Sequence, residues 1–189
     1  MPPSQMGPSN FNDALDATPP NTYWAIPGRL LAGGYPASAD FSDSRARLAQ
    51  VQELGIDYFV DLTEEGELPA YRHLLPFRVK YLRCPIPDHG VPNNSAPIKR
   101  LLADIRAALA AQRCVYLHCR AGIGRTNLIV GCYFAEQGGD GKAALEHVNS
   151  LWRRSARAAV WPKVPETDEQ ADYIRRWPNL AKQPSSRPA

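Results

Sequence analysis

The sequence has no long apolar run and little excess charge of either sign. No stretch approaches the roughly 20 apolar residues that a membrane-spanning helix needs, so we expect no membrane span. The N-terminus lacks a basic start followed by an apolar run, so we expect no secretory signal. With 22 basic and 19 acidic residues the net charge is +3, too balanced for a typical nucleic-acid-binding domain. These absences exclude nucleic acid and the bilayer interior as expected partners.

Cysteine is also scarce, and its spacing forms no framework. The four cysteines are Cys84, Cys114, Cys119 and Cys132. There is no Cys-x-x-Cys pair, and a zinc site from these cysteines and His118 would be poorly spaced, so we expect neither a metal nor a cofactor. The chain also lacks the Gly-x4-Gly-Lys-Ser/Thr pattern of a nucleotide-binding P-loop. A reducing, cytoplasmic setting therefore suits this composition.

The 189 residues suffice for one domain, which we place at 22–178 between polar tails at 1–21 and 179–189. Strands are predicted over a hairpin at 23–34, and over 56–62, 78–83 and 115–118. Helices are predicted over 40–53, 97–112 capped by Ser95, 127–134, 142–154, and from Thr167 onward. Strands separated by amphipathic helices predict an α/β fold, in which a mostly parallel central sheet has helices on both faces and an N-terminal β-hairpin.

The most informative stretch is HCRAGIGRT, residues 118–126. It joins a short apolar strand to a mostly apolar helix through a glycine-bearing loop. Backbone N–H groups and the helix dipole converge at such a junction and attract anions. The loop places Cys119 and Arg125 there, with five residues between them.

These residue types suit transfer of a phosphoryl group through a covalent intermediate. Unpaired N–H groups and an arginine favour the thiolate of Cys119, which is the attacking form. The planar fork of Arg125 can hold two phosphate oxygens. Gly122 and Gly124 let the backbone wrap an anion closely. The hydroxyl of Thr126 can donate to the sulfur when it leaves, so the loop suits a thiophosphate on Cys119.

HCRAGIGRT resembles the HCxxGxxRS/T signature of the cysteine-dependent protein tyrosine phosphatases. The resemblance spans about residues 22–178 and implies the compact α/β domain of the dual-specificity type, because the chain is short for the larger tyrosine-specific domains. It implies a phosphoprotein or phosphopeptide substrate, with phosphotyrosine and also phosphoserine or phosphothreonine as candidates, and a monomeric enzyme. It implies that the phosphate is held by the residues of the loop after the cysteine: Arg120, Ala121, Gly122, Ile123, Gly124 and Arg125. His118 is expected to orient the loop without touching substrate.

A second shaped loop, CPIPDHGVP at 84–92, surrounds one aspartate with three prolines and a glycine. Cleavage of a phosphate ester needs a proton donor for the leaving oxygen, and Asp88 is the candidate general acid and later base. Its position, about thirty residues before Cys119, resembles that of the movable general-acid loop of the same phosphatases. The alternative is an aspartate that only caps a turn.

Two further features have open interpretations. Thr167 and Gln170 form a capping-box pattern; a glutamine here orients the hydrolytic water in some relatives, although the cap alone explains it. The acidic loop 63–69 is expected to be a solvated turn; the alternatives are that it holds a basic side chain near the phosphate loop or discourages acidic substrates. Asn127 departs from the glycine that many relatives carry.

Three other functions compete with a protein phosphatase. Arg120 leaves a phosphoinositide or inositol-phosphate substrate open, since phosphatases of that kind often carry extra basic residues in this loop. A phosphate-binding module without turnover is disfavoured by the joint presence of Cys119, Arg125 and Asp88. A redox protein would need a second thiol, for which Cys84 is the better candidate.

Overall fold

The computed structural model describes residues 18–183, and within that range one five-stranded sheet has the order β1-β2-β5-β3-β4. The strands are β1 (Thr22–Ile26), β2 (Leu30–Gly33), β3 (Tyr58–Asp61), β4 (Lys80–Arg83) and β5 (Val115–His118). Strands β1 and β2 form an antiparallel hairpin, and all the other pairings are parallel. The predicted mostly parallel sheet and N-terminal hairpin are confirmed.

Helices cover both faces of this sheet, as predicted. The helices are α1 (Phe41–Glu53), α2 (Ser95–Ala110), α3 (Arg125–Gly138), α4 (Gly141–Trp152) and α5 (Asp168–Lys182). Short 3-10 segments lie at Arg72–Leu74 and Ala156–Ala159. Helix α1 packs alone in one apolar cluster, whereas α2 to α5 share the other.

The two clusters follow from the two-residue period of the strands. In β5, Val115 and Leu117 join the α2–α5 cluster, whereas Tyr116 between them joins the α1 cluster. Leu30 and Leu31 divide in the same way in β2. Strand β5 is therefore buried on both faces, which explains its unbroken apolar sequence.

Several predicted boundaries differ from the structure; helix α3, for example, ends at Gly138 instead of residue 134. The N-cap of α2 is Asn94, whose side chain accepts from the N–H of Ala96 at 2.8 Å; Ser95, the predicted cap, is the first helical residue. Helix α3 begins two residues earlier than predicted, at Arg125. Helix α5 continues through Pro178 to Lys182, four residues beyond the predicted end of the domain.

The continuation of α5 has a packing cause, because Leu180 and Ala181 contact the core. That contact offsets the hydrogen bond that Pro178 cannot make. Of the predicted tails, residues 1–17 and 184–189 lie outside the described residues, whereas 179–182 belong to α5. Among residues 18–183 no helix is both long and apolar enough to cross a bilayer.

Candidate active site

Three loops meet at one edge of the sheet, where the adjacent parallel strands β5, β3 and β4 end. Cys119 directly follows β5, the acidic loop with Glu67 follows β3, and Asp88 follows β4. Carboxyl ends of parallel strands lie at the same edge, which is where α/β folds place their ligands. The topology therefore brings together residues that lie as much as 58 positions apart in the chain, as Glu67 and Arg125 do.

The loop between β5 and α3, residues 119–124, has its carbonyl groups tied to surrounding structure. Tyr35 N donates to the carbonyl of Arg120 (3.0 Å), and Arg157 Nη1 donates to that of Ala121 (2.6 Å). Asn127 Nδ2 donates to the carbonyls of Gly122 (2.9 Å) and Ile123 (2.8 Å). Leu128 N donates to the carbonyl of Gly124 (2.9 Å). In a trans peptide the N–H points opposite to the C=O. Carbonyls drawn outward therefore turn the following N–H groups inward, which forms the anion cradle that the sequence predicts.

The thiol of Cys119 lies inside this cradle. The residue is buried, and its Sγ accepts from the N–H of Gly122 at 3.3 Å. Gly122 has a φ of +76°, and a Cβ there would lie 2.5 Å from the carbonyl carbon of Gly33. Glycine is thus required both by the backbone conformation and by the close approach of the loop to β2.

Arg125, the first residue of α3, closes the cradle with all its terminal donors engaged. It is 2% exposed. Its Nη1 and Nη2 each donate to Glu67 at 2.7 Å, Nη1 also donates to the carbonyl of Ile86 at 3.2 Å, and Nη2 lies 2.7 Å from Asp88 Oδ1. The bond from Arg125 lowers the pKa of Glu67 to about 2, so Glu67 is a permanent anion at neutral pH. The preferred interpretation, a solvated loop, therefore holds for Glu64 and Glu65, which are exposed, whereas Glu67 holds a basic side chain.

Asp88 and Arg120 complete the group of charges around Arg125. The carboxylate of Asp88 is one-third exposed and lies 3.8 Å from Arg120 Nε, in addition to its contact with Arg125. Arg120 also donates to Glu67 at 3.1 Å. The structure therefore places Asp88, the candidate general acid, beside Arg125 and the loop of Cys119.

His118 lies directly beneath the loop in a buried pair with Tyr71. Its Nε2 is 2.5 Å from the Tyr71 hydroxyl, and its Nδ1 is 3.3 Å from the carbonyl of Cys119. Burial lowers the pKa of His118, so the imidazole is neutral at pH 7. A neutral ring that accepts from Tyr71 and donates to the Cys119 carbonyl satisfies both contacts. This geometry agrees with the predicted orienting role.

Asn127 is one of the site residues whose role the sequence did not reveal. Its amide nitrogen donates to two loop carbonyls, and its Oδ1 accepts from the Tyr23 hydroxyl at 2.6 Å. Asn127 is fully buried. It therefore ties the underside of the loop to β1, where a glycine could make no such bonds. Its departure from the family pattern was the one signal available.

Two other predicted residues have bonds that differ from expectation or extend it. Thr126 is buried and its hydroxyl donates to the carbonyl of Gly33 at 3.1 Å, instead of to the sulfur.

Gln170 forms the predicted capping box with Thr167. Its Nε2 also donates to the carbonyl of Gly90 at 3.0 Å, and a Cβ on Gly124 would lie 2.9 Å from its Oε1. Gln170 thus connects the loop of Asp88 to the phosphate loop.

Of the residues described, 18–183, no group of three or more His, Cys, Asp and Glu side chains is arranged to hold a metal ion. The four cysteines are unpaired.

Comparison with known proteins places this site in a family. Residues 19–172 match the family described as PTP-SAK, Swiss Army Knife protein, DSP-PTPase phosphatase domain. The chain belongs to this family, whose domain is of the protein-tyrosine or dual-specificity phosphatase class.

Individual relatives agree with that class. A proposed tyrosine phosphatase, 067L of Invertebrate iridescent virus 3, is 33% identical over 115 residues, which are 58% of this chain and 44% of the viral protein. The chain thus spans less than half the length of the viral relatives it matches, and 36% in the case of 197R of Invertebrate iridescent virus 6.

Solved structures share the fold at low sequence identity. The active form of Tk-PTP superposes with a TM-score of 0.69 at 24% identity and covers 85% of this chain and 97% of its own. PTPMT1 in complex with PI(5)P superposes with a TM-score of 0.62 at 18% identity, over 85% and 96% of the two chains. The predicted dual-specificity-like fold is confirmed.

Proposed function

We propose that this chain is a phosphomonoester hydrolase that removes phosphate from phosphotyrosine in proteins through a thiophosphate on Cys119, with phosphoserine and phosphothreonine as further candidate substrates. The observation that carries the proposal is the tethering of consecutive loop carbonyls from outside. It turns the intervening N–H groups toward the side of the loop that holds the thiol, and Glu67 separately holds the fork of Arg125 in position, so a phosphoryl group bound there meets a nucleophile. The enzyme would act in a reducing, cytoplasmic compartment, since Cys119 must stay reduced, and as a monomer.

In the first step the sulfur of Cys119 attacks phosphorus and the bond to the leaving oxygen breaks. The N–H groups of residues 120–125 and the guanidinium of Arg125 hold the non-bridging oxygens as charge develops on them. Asp88, protonated, gives its proton to the departing oxygen. His118 takes no part in bond making and instead holds the backbone at Cys119.

Substrate must displace an existing partner of Arg125. Both terminal nitrogens already donate to two acceptors each, and the contact with Asp88 is the most exposed of these. A phosphate dianion that takes the place of Asp88 on Nη2 leaves the carboxyl beside the leaving oxygen. Glu67, which grips the fork at both nitrogens, keeps the guanidinium in position during this exchange.

In the second step water attacks phosphorus, Asp88 takes its proton, and the sulfur–phosphorus bond breaks to return the thiolate. Thr126 assists the departing sulfur once its hydroxyl turns from the carbonyl of Gly33. Gln170 is the candidate for orienting the water, since it lies against the phosphate loop beside Gly124.

A phosphoinositide or inositol phosphate is the second candidate substrate, favoured by Arg120 and by the fold shared with PTPMT1. Arg120, however, pairs with Glu67 and faces Asp88. Its charge is therefore engaged within the site, which ranks this substrate below a phosphoprotein. A module that binds phosphate without turnover would have no use for Asp88 beside the cradle.

The test is hydrolysis of p-nitrophenyl phosphate in the presence of EDTA, with the native chain and Cys119→Ser compared. We expect metal-independent turnover in the native chain and none above background in the variant. Retained binding of orthovanadate or phosphate by the variant shows that its loop is folded. Equal activity in both proteins would refute Cys119 as the nucleophile, and binding without turnover in the native chain would identify a binding module.

A further inference from the structure

A cavity of about 420 Å³ adjoins the phosphate loop next to α1 and the segment that precedes β1. Arg120 of the loop forms part of its lining, as does Tyr35, whose N–H donates to the Arg120 carbonyl at 3.0 Å. The cavity and the phosphate cradle thus share a wall. Its volume falls in the ~300–1,000 Å³ range of ligand sites in proteins.

Arg157 lines this cavity as a cation without a carboxylate partner. Its side chain is half-buried, and Nη1 donates to the carbonyl of Ala121 at 2.6 Å. Among residues 18–183 no Asp or Glu pairs with it. A partly desolvated guanidinium is costly to leave without a counter-charge, and its remaining donors are free to bind an anion in the cavity.

The rest of the lining adds a second, exposed arginine and apolar surface. The lining holds three arginines and one carboxylate, Asp43. Arg120 among them is engaged by Glu67 and Asp88 outside the lining, which leaves Arg47 and Arg157 as the cations of the cavity. Asp43 pairs with Arg47 at 2.9 Å, and both side chains are about half exposed, so an incoming anion can compete for Arg47. Pro19, Pro20 and Val51 supply apolar surface beside these charges.

We propose that this cavity is a second anion subsite, which binds an acidic or phosphorylated side chain next to the phosphotyrosine of a protein substrate through Arg157 and Arg47. The inference rests on the proposed function, because it names the substrate feature that the same site would recognise. The mixed lining suits a side chain with an apolar stem and an anionic end. A hydroxyl-covered inositol ring would gain little from the prolines and valine and would meet Asp43.

The test compares kcat/KM for phosphotyrosine peptides in which one glutamate or phosphothreonine is moved across three positions on either side of the phosphotyrosine. We expect one position to exceed the alanine parent about three- to tenfold at low ionic strength, in the range of a partly exposed ion pair. Arg47→Gln should reduce that preference about threefold, and Asp43→Asn should increase it. Arg45→Gln removes the same charge from α1 outside the cavity lining and should leave the preference unaltered.

The outcomes separate this inference from the proposed function. Turnover of p-nitrophenyl phosphate with no positional preference among the peptides would overturn the subsite alone. A preference spread evenly over all positions would also overturn the subsite, because such a preference reflects long-range attraction between charges. The same holds if Arg45→Gln weakens the preference as much as Arg47→Gln does. If the native chain turns nothing over, binding of the same peptides by calorimetry tests the subsite independently. Arg47-dependent competition by free inositol bisphosphate without any peptide preference would assign the cavity to a headgroup and refute the protein substrate.

Discussion

The carboxylate of Glu67 spans the guanidinium of Arg125, with one oxygen on each terminal nitrogen at 2.7 Å. Both side chains are nearly inaccessible to solvent. A bidentate pair of this kind fixes the plane of the guanidinium as well as its position. The fork of Arg125 is therefore already aligned before any phosphate arrives, by a residue from the loop that follows β3.

Replacement of Glu67 by glutamine should lower stability in a pH-dependent way. The pKa of Glu67 is about 2 in the folded chain, below the ~4.3 of an unfolded glutamate. Its ionised form therefore stabilises the fold fully above about pH 4.5, and that contribution is lost as the pH falls toward 2. We expect Glu67→Gln to reduce the free energy of unfolding at pH 7 by about 2 kcal/mol, measured by urea denaturation. The difference from the native chain should shrink between pH 4.5 and 2.

Glu65→Gln is the matched control for that experiment, because Glu65 is exposed in the same loop. It should change stability by less than about 0.5 kcal/mol at either pH. A constant difference between Glu67→Gln and the native chain across the acid range would contradict the ion pair.

Asn127→Ala should damage the phosphate loop from below. It removes the donor to two loop carbonyls and leaves the Tyr23 hydroxyl buried without its partner. We expect kcat/KM for p-nitrophenyl phosphate to fall about 10- to 100-fold and the free energy of unfolding to fall by about 2–3 kcal/mol. Tyr23→Phe removes the same partner bond but keeps both carbonyl bonds, so its activity should stay within about threefold of native. Equal losses in the two variants would show that the bonds to the loop carbonyls are not what matters.

Gly122→Ala should abolish phosphate binding through a steric clash as well as backbone strain. The added Cβ would lie 2.5 Å from the Gly33 carbonyl carbon and 2.6 Å from the Gly34 nitrogen, both of them backbone atoms that cannot turn aside. Gly139→Ala is the control, since Gly139 has a similar φ of +70° with nothing within 4 Å. We expect the control to lose about 1 kcal/mol of stability and to keep the activity of the native chain. Gly122→Ala should lose at least about 100-fold in kcat/KM, and activity near native in that variant would refute the close approach.

Asp88→Asn should slow cleavage most for substrates whose leaving oxygen has a high pKa, because such an oxygen must be protonated as it departs. General-acid catalysis contributes about 10²–10⁴-fold, and phenolates that leave readily need least of it. We therefore expect kcat for a phosphoserine or alkyl phosphate to fall more than kcat for p-nitrophenyl phosphate. A uniform loss across leaving groups of different pKa would remove Asp88 from the acid role and leave it as a partner of Arg125.

The sequence predicted the parts of the site that are local in the chain. The cradle of Cys119 and Arg125, the loop of Asp88 and the capping box of Gln170 all lie within single short segments whose residue types carry their own physical meaning. The hairpin and the layered fold followed from apolar periodicity in the same way. The bond from Thr126 was predicted to the sulfur, because the spacing alone could not show that the Gly33 carbonyl lies nearer.

The remaining site residues depend on long-range topology. Nothing near Arg157 in sequence indicates that it reaches the carbonyl of Ala121, 36 residues away. Tyr71 meets His118 across 47 residues, and only the adjacent ends of β3 and β5 bring them together. Asn127 was visible as a departure from the family, but its two-sided role depends on Tyr23 in β1, 104 residues earlier.

The tethering of the loop carbonyls has a consequence for the order in which the protein matures. The tethers come from Tyr35 near the start of the domain, from Asn127 and Leu128 just after the loop, and from Arg157 beyond α4. During synthesis the thiol of Cys119 emerges well before Arg157 does. A nascent chain that has exposed the thiol therefore still lacks the last tether on its loop, and the loop can be complete only when nearly the whole domain has left the ribosome.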